Sequence, residues 1–200
     1  MSAYNTLCIP DMLMILANEL DHASLVALSM LCWDIRDQMR RLKLCIAMVG
    51  PAEKAFKAEQ SGMFRITSLR VSPKTTNLEP VNLLRSLTNL DINGSDVADI
   101  ARLQNLVHLE SVNLNRTKVE DLWPIPLNIK TLRLSHTRVC DLSPILFCSR
   151  LLVLDLNETL VSDLKPISTL LSLQTLYLSK APIEDVRPLA KRSRRVLDPL

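Results

Sequence analysis

Two hundred residues are enough for one or two domains, and a composition 48% hydrophobic and 22% charged is that of a folding chain, not a disordered one. Three glycines are too few for a Gly-rich phosphate cradle. The net charge of +3 is concentrated in Lys191, Arg192, Arg194 and Arg195, so the remainder is close to neutral and lacks the broad basic footprint of a nucleic-acid binder. Cys8, Cys32, Cys45, Cys140 and Cys148 are odd in number and form no C-x-x-C, which argues for reduced, apolar thiols against a disulfide framework or a zinc knuckle. Asp11, Asn18, Glu19 and Asp21 interrupt the first apolar stretch, which argues against a signal peptide, and no run reaches the ~18 apolar residues of a membrane span. A soluble intracellular protein, cytoplasmic or nuclear, is expected.

Residues 1–62 read as a helical segment. Ile9-Pro10-Asp11 opens a helix with Leu13, Leu16 and Leu20 on one face, at the three- and four-residue steps of a helical stripe. Asp21-His22-Ala23-Ser24 makes a turn, and Leu25, Leu28, Leu31 and Cys32 continue a second helix. A third is expected from Arg36 to Val49, broken by Gly50-Pro51, with another short helix from Ala52 to Gln60. The pairs Ile9-Pro10, Met12-Leu13, Ile15-Leu16, Leu20-Asp21, Leu25-Val26, Leu28-Ser29 and Leu31-Cys32 resemble an F-box. Two departures stand out: the stretch from Pro10 to Asp21 is one residue short, and Trp33 directly follows the cysteine where the family's tryptophan lies a few residues later. The resemblance implies that Ile9, Pro10, Leu13, Leu16, Leu20 and Leu25 contact a Skp-type adaptor. The plainer alternative is a helical cap on the chain beyond residue 62, because the first coil of a stack needs a cover.

Residues 63–190 are periodic. Frames of the form L-x-x-L-x-L open at Ile66, Leu87, Leu109, Ile129, Leu151 and Leu173, at intervals of 21, 22, 20, 22 and 22 residues. Their second apolar positions are Leu69, Leu90, Val112, Leu132, Leu154 and Leu176, and their third are Val71, Ile92, Leu114, Leu134, Leu156 and Leu178. Alternation of this kind is the period of a strand with one buried face. Six such strands should stack as a parallel sheet, because one coil cannot bury its own leucines. From the second frame on, Val97, Val119, Val139, Val161 and Ile183 come next, then Asp99, Asp121, Asp141, Asp163 and Asp185. With Pro124, Pro144, Pro166 and Pro188 close behind, each aspartate is expected to cap a short 3₁₀ or α turn on the outer face of its coil.

The element from Leu151 to Ile167, L-x-x-L-x-L-x-x-T-x-V-x-D-L-x-P-I, resembles the 22-residue leucine-rich repeat of internalin-like proteins. The resemblance implies an α/β solenoid of about six coils that binds other macromolecules. Thr117, Thr137 and Thr159 stand where many family members have Asn, with Ser95 and Ala181 at the same position in other coils. Ala181 cannot bond the backbone, so the last coil is expected to be looser.

Two polar rows follow from the register. Ser72, Asn93, Asn115, Ser135, Asn157 and Ser179 read as a hydrogen-bonded ladder along one end of the sheet. Arg70, Asp91, Asn113, Arg133, Asp155 and Tyr177 lie between the two strand leucines and should project from the open, concave face, the usual binding surface of solenoids, where they are the candidate target-binding residues. The repeated aspartates recur once per coil and so read as turn residues, not as a convergent catalytic or metal site. His22, His108 and His136 share no ligand spacing with each other or with a cysteine. No catalytic residue, metal site, cofactor or small-molecule substrate is expected.

Residues 191–200 form a basic tail or C-terminal cap, readable as an import signal, a phosphate contact or a guard on the last strand edge. Taken together, the two resemblances imply a non-catalytic substrate receptor of a cullin-type ubiquitin ligase, with a Skp-type adaptor at one end and a protein target on the repeats. The alternative is a repeat scaffold or regulatory subunit of a larger assembly, such as a phosphatase regulator or ribonucleoprotein component.

Overall fold

The structure, a computed structural model, describes residues 44–49 and 64–190. Among the described residues, seven parallel strands form one sheet in sequential order: β1 (Leu44–Val49), β2 (Phe64–Arg70), β3 (Asn89–Asp91), β4 (Ser111–Asn113), β5 (Thr131–Arg133), β6 (Val153–Asp155) and β7 (Thr175–Tyr177). From β2 onward there is one strand per sequence frame, and the second apolar positions pair directly: Leu69 with Leu90, then Val112, Leu132, Leu154 and Leu176. This column is buried along its whole length. Each member covers the next coil's leucine, so burial worth ~1.5–3 kcal/mol per side chain is available only to the stack.

The other two columns behave alike until the end. Ile66, Leu87, Leu109, Ile129 and Leu151 are fully buried, as are Ile92, Leu114, Leu134 and Leu156. Leu173, Leu178 and Ile183 of the last repeat are only partly buried. Among the described residues no further strand pairs with β7, so its coil packs on one side alone.

β1 corrects the sequence reading. The helix expected from Arg36 to Val49 is a strand over Leu44–Val49, paired in parallel with β2 and carrying a register shift between Ile46 and Ala47. A six-residue apolar run is compatible with either structure by periodicity alone. The free edge of β2 decides the matter, because it presents N–H and C=O groups that a neighbouring strand satisfies. The sheet therefore has one strand more than the six frames, and it begins inside the span read as helical.

The outer face carries the expected turns. Residues Glu79–Leu83, Ala101–Asn105, Ser143–Phe147 and Lys165–Thr169 are 3₁₀ helices, and Arg187–Ala190 is one turn of α-helix. Asp99, Asp141, Asp163 and Asp185 each accept, through Oδ1, the backbone N–H two residues ahead, at 2.7–2.9 Å. Before the 3₁₀ helices the aspartate stands one residue ahead of the N-cap, which is Ile100, Leu142 or Leu164. The bond closes an Asx turn that leads the chain into the helix.

The coil from Leu109 to Ile129 is two residues shorter than its 22-residue neighbours. It has no 3₁₀ helix; turns at Trp123-Pro124 and Leu127-Asn128 replace it. Pro126, which is buried there, has no N–H to offer a helical turn.

Inside the solenoid, Thr117, Thr137 and Thr159 are buried, and each hydroxyl donates to the carbonyl three residues earlier, Leu114, Leu134 or Leu156, at 2.6–2.8 Å. Ser95 occupies the same site, but its Oγ has no partner among the described residues.

Candidate functional site

The strand register places Arg70, Asp91, Asn113, Arg133, Asp155 and Tyr177 in one continuous row, each beside its neighbour in the next coil. Successive members stand ~4.7–4.9 Å apart, the spacing of paired strands. Beside them runs a row of small side chains: Ser68, Asn89, Ser111, Thr131, Val153 and Thr175. Aliphatic side chains from the same strands fill the opposite face.

Not every member of the row is available to a partner. Arg70 Nε donates to Asp91 Oδ2 at 2.7 Å. Asp91, Asn113 and Asp155 each use Oδ1 to accept the N–H two residues ahead, of Asn93, Asn115 and Asn157, at 3.1 Å. Arg133 and Tyr177 carry no comparable acceptor. In their coils the corresponding N–H, of Ser135 and Ser179, is taken by Oδ1 of Asn115 and Asn157 from the preceding coil, at 2.8 and 2.6 Å. From β3 onward, coils with an Asx residue in the row therefore bind their own exit turn, and the two without one borrow an asparagine from the preceding coil. Arg133, exposed, and Tyr177, half-buried, are released from this duty.

The same C-terminal rim of the sheet carries a backbone constraint. The residue after each Ser or Asn, in five coils, has positive φ: Gly94, Arg116, His136, Glu158 and Lys180. Four of the five are not glycine, although this conformation is strained for an L residue. Their side chains are spread along the edge, where His136 Nδ1 and Lys180 Nζ meet Glu158 at 3.1 and 2.8 Å. The hydrogen bond from Lys180, aided by the charges of His136, Lys180 and Arg116, holds the Glu158 carboxyl below the usual glutamate range despite some desolvation. Asp96 with Lys118 (2.7 Å) and Glu120 with Arg138 (3.2 Å) make further coil-to-coil pairs. Apart from the half-buried Glu158 their members are exposed, and each pair is individually worth little.

The repeated aspartates stay with their own turns. Asp141 is held below the usual range by hydrogen bonds from Ser143, and Asp185 by those from Arg187. Burial pushes the Cys148 thiol up to about 11, whereas Cys140 is exposed. Among the described residues, no group of three or more His, Cys, Asp or Glu side chains is placed to hold a metal ion, and no helix is long and apolar enough to cross a membrane.

One feature escaped sequence reasoning. A groove of about 370 Å³ runs along the N-terminal rim of the sheet, lined by residues that include Arg65, Ser86, His108, Glu110, Asn128 and Arg150. The signal was present, because five of these immediately precede the opening aliphatic of a frame. The remaining candidates, Ile9, Pro10, Leu13, Leu16, Leu20 and Leu25, lie outside the described residues, as do the expected helix from Ala52 to Gln60 and the tail 191–200.

Solved structures share this architecture. Internalin C2 of Listeria monocytogenes superposes with a TM-score of 0.67 at 23% identity, over 78% of this chain and 71% of that one. Another internalin of the same organism, inlF, gives 0.66 at 22% identity, over 80% of this chain and 48% of that one. The leucine-rich-repeat ectodomain of the plant receptor kinase GASSHO1/SCHENGEN3 from Arabidopsis thaliana, solved with Casparian strip integrity factor 2, gives 0.55 at 18% identity, over 75% of this chain and 20% of that one. No protein-family model and no curated protein matches the sequence. The fold is the leucine-rich-repeat solenoid.

Proposed function

We infer that this chain, built on the leucine-rich-repeat fold, is a non-catalytic scaffold that holds a protein target on its concave face. The carrying observation is the in-register row from Arg70 to Tyr177, in which Arg133 and Tyr177 are not consumed by the turns that occupy their neighbours. Arginine and tyrosine contribute disproportionately to protein interfaces. Binding by the repeats also agrees with the plant leucine-rich-repeat ectodomain, which was solved in complex with Casparian strip integrity factor 2.

At the next level of detail, the chain acts as a substrate receptor of a cullin-type ubiquitin ligase. The F-box-like segment binds a Skp-type adaptor through Ile9, Pro10, Leu13, Leu16, Leu20 and Leu25, while the repeats hold the target. Such a receptor works by effective concentration and needs no active site. This level rests on the sequence resemblance of residues 9–32. Affinity capture from a eukaryotic lysate tests both levels. An adaptor recovered with the intact chain and lost with Pro10→Ala plus Leu13→Ala supports the receptor. A target retained by that variant and lost with Arg133→Glu plus Tyr177→Ala supports the concave face.

A second reading, the regulatory subunit of another assembly, is favoured by the one-residue deficit between Pro10 and Asp21. Recovery of a defined complex that lacks any adaptor, dependent on Arg133 and Tyr177, would replace the ligase reading and leave the scaffold intact.

A further inference from the structure

The N-terminal rim differs from the C-terminal rim in what its polar side chains are doing. Five successive coils each bring the residue ahead of their opening aliphatic, Arg65, Ser86, His108, Asn128 and Arg150, to one groove of about 370 Å³. Arg65 Nε donates to Ser86 Oγ at 3.3 Å, and its two terminal nitrogens make no hydrogen bond or ion pair among the described residues. His108 and Arg150 are exposed and make no side-chain hydrogen bond or ion pair among the described residues. Glu110, the acidic residue of the lining, is engaged by Lys130 Nζ at 2.8 Å. The lining also includes one exposed aliphatic side chain, Val107, at 58% exposure.

We propose that this groove binds an extended acidic peptide, with one carboxylate held by Arg65 and another by Arg150. Paired strands are ~4.8 Å apart, so the four steps between these arginines span about 19 Å, which an extended chain at ~3.3 Å per residue covers in about six residues. Between the two ends, the Ser86 hydroxyl, His108 and the Asn128 carbonyl oxygen remain for the main chain of the peptide. The exposed Val107 side chain receives an aliphatic side chain of the peptide. This pattern selects a peptide over a nucleic acid. A phosphate backbone would bring charge continuously past the Glu110 carboxylate and would leave the Val107 side chain in water, whereas a peptide acidic at its ends and apolar between them matches both. Guanidinium groups also bind carboxylates in a planar, bidentate fashion.

The site is independent of the concave row, and its test does not depend on that row. The probe is a fluorescein-labelled heptapeptide with aspartate at both ends and leucine near the middle, titrated by anisotropy into the full chain at low salt. Controls are the same peptide with glutamine ends, one with its aspartates three residues apart, and a single-stranded oligonucleotide. The aspartate heptapeptide should bind about tenfold more tightly than the glutamine peptide and several-fold more tightly than the short-spaced one, as expected for charge-assisted hydrogen bonds. Arg65→Gln with Arg150→Gln should erase the preference, whereas Arg133→Glu should retain it. Equal binding of the aspartate and glutamine peptides overturns the proposal, as does a preference that survives loss of both arginines. Tighter binding of the oligonucleotide with the same arginine dependence replaces the peptide with a nucleic acid. The comparison of peptides on the unaltered protein decides the matter even where a variant folds poorly.

Discussion

The two rims of the sheet are built from equally polar sequence, yet they use it differently. At the C-terminal rim, Asp91, Asn113, Asn115, Asp155 and Asn157 all carry backbone N–H groups through exit turns that would otherwise leave donors unpaired. At the N-terminal rim the chain climbs into each strand with its backbone already satisfied by the previous coil, as where Glu110 and Lys130 N–H groups donate to Thr88 and Glu110 carbonyls. Side chains such as His108 and Arg150 are therefore left over. A polar residue in a repeat is informative about binding only after the demands of its own backbone have been subtracted.

The largest expected effect concerns the column on which both rims hang. Leu132→Ala, at the centre of that buried column, should destabilise the protein by about 2–5 kcal/mol in urea unfolding, because the coils on either side cannot close the cavity. A loss below about 1 kcal/mol would mean that the column does not organise the stack.

Next comes the borrowed bond. Asn115→Ala leaves the Ser135 N–H without its acceptor and unties the Asn115 exit turn from the next coil, at a cost of about 1–2 kcal/mol. Arg133→Asn in that background should restore most of the loss, since an Asx residue at 133 would supply the acceptor that Asp91, Asn113 and Asp155 supply in their own coils. Absence of rescue would break the distinction between self-capping and borrowing coils. On the other rim, His108→Ala and Arg150→Ala should each change stability by less than about 0.5 kcal/mol. A larger loss would show that these residues are structural.

The positive-φ row offers a smaller, two-way test. Gly94 has φ of 70° and open space around the position of a Cβ, so Gly94→Ala should cost about 1 kcal/mol through backbone conformation alone. Arg116→Gly, at φ of 54°, should gain up to about 1 kcal/mol. Thermal unfolding of both variants in one buffer reads the difference in sign.

The smallest effect is in pH. The Glu158 carboxyl is depressed in the folded state, chiefly by Lys180 and then by the nearby positive charges. Its contribution is therefore fully present above the ordinary glutamate pKa and is lost as pH falls through the lower folded value. Glu158→Gln should flatten the acid limb of the stability curve slightly, lowering stability a little at neutral and alkaline pH and leaving it nearly unchanged at acid pH below the folded value, as urea midpoints across the range would show. An unchanged acid limb would mean that the His136–Glu158–Lys180 cluster does no more than decorate the rim.

Much of this was legible in the residues. The frames from Ile66 to Leu173 predicted the strands, their pairing and the buried columns, because alternation assigns a face and the interval assigns a neighbour. The D-L-x-P element predicted the outer turns, although the bonded aspartate sits one residue farther out than a true N-cap. Leu44–Val49 departs from the expected helix because a short apolar run has no period to distinguish strand from helix, and only the waiting edge of β2 settles it. The Ser/Asn ladder was recognised as a row, but its alternation between self-capping and borrowing was not. That pattern depends on what stands two residues earlier and one coil away at the same time.

The order of the strands and the composition of the core follow from sequence, since period-two burial and a repeat near 22 residues admit one way of covering the leucines. Tertiary contact decided the rest: which N–H groups lacked a partner, which asparagines were drawn across to the next coil, and hence which arginines, histidines and tyrosines remained. Hydrogen-bond demand is a property of the folded backbone, and no single coil carries it in its letters.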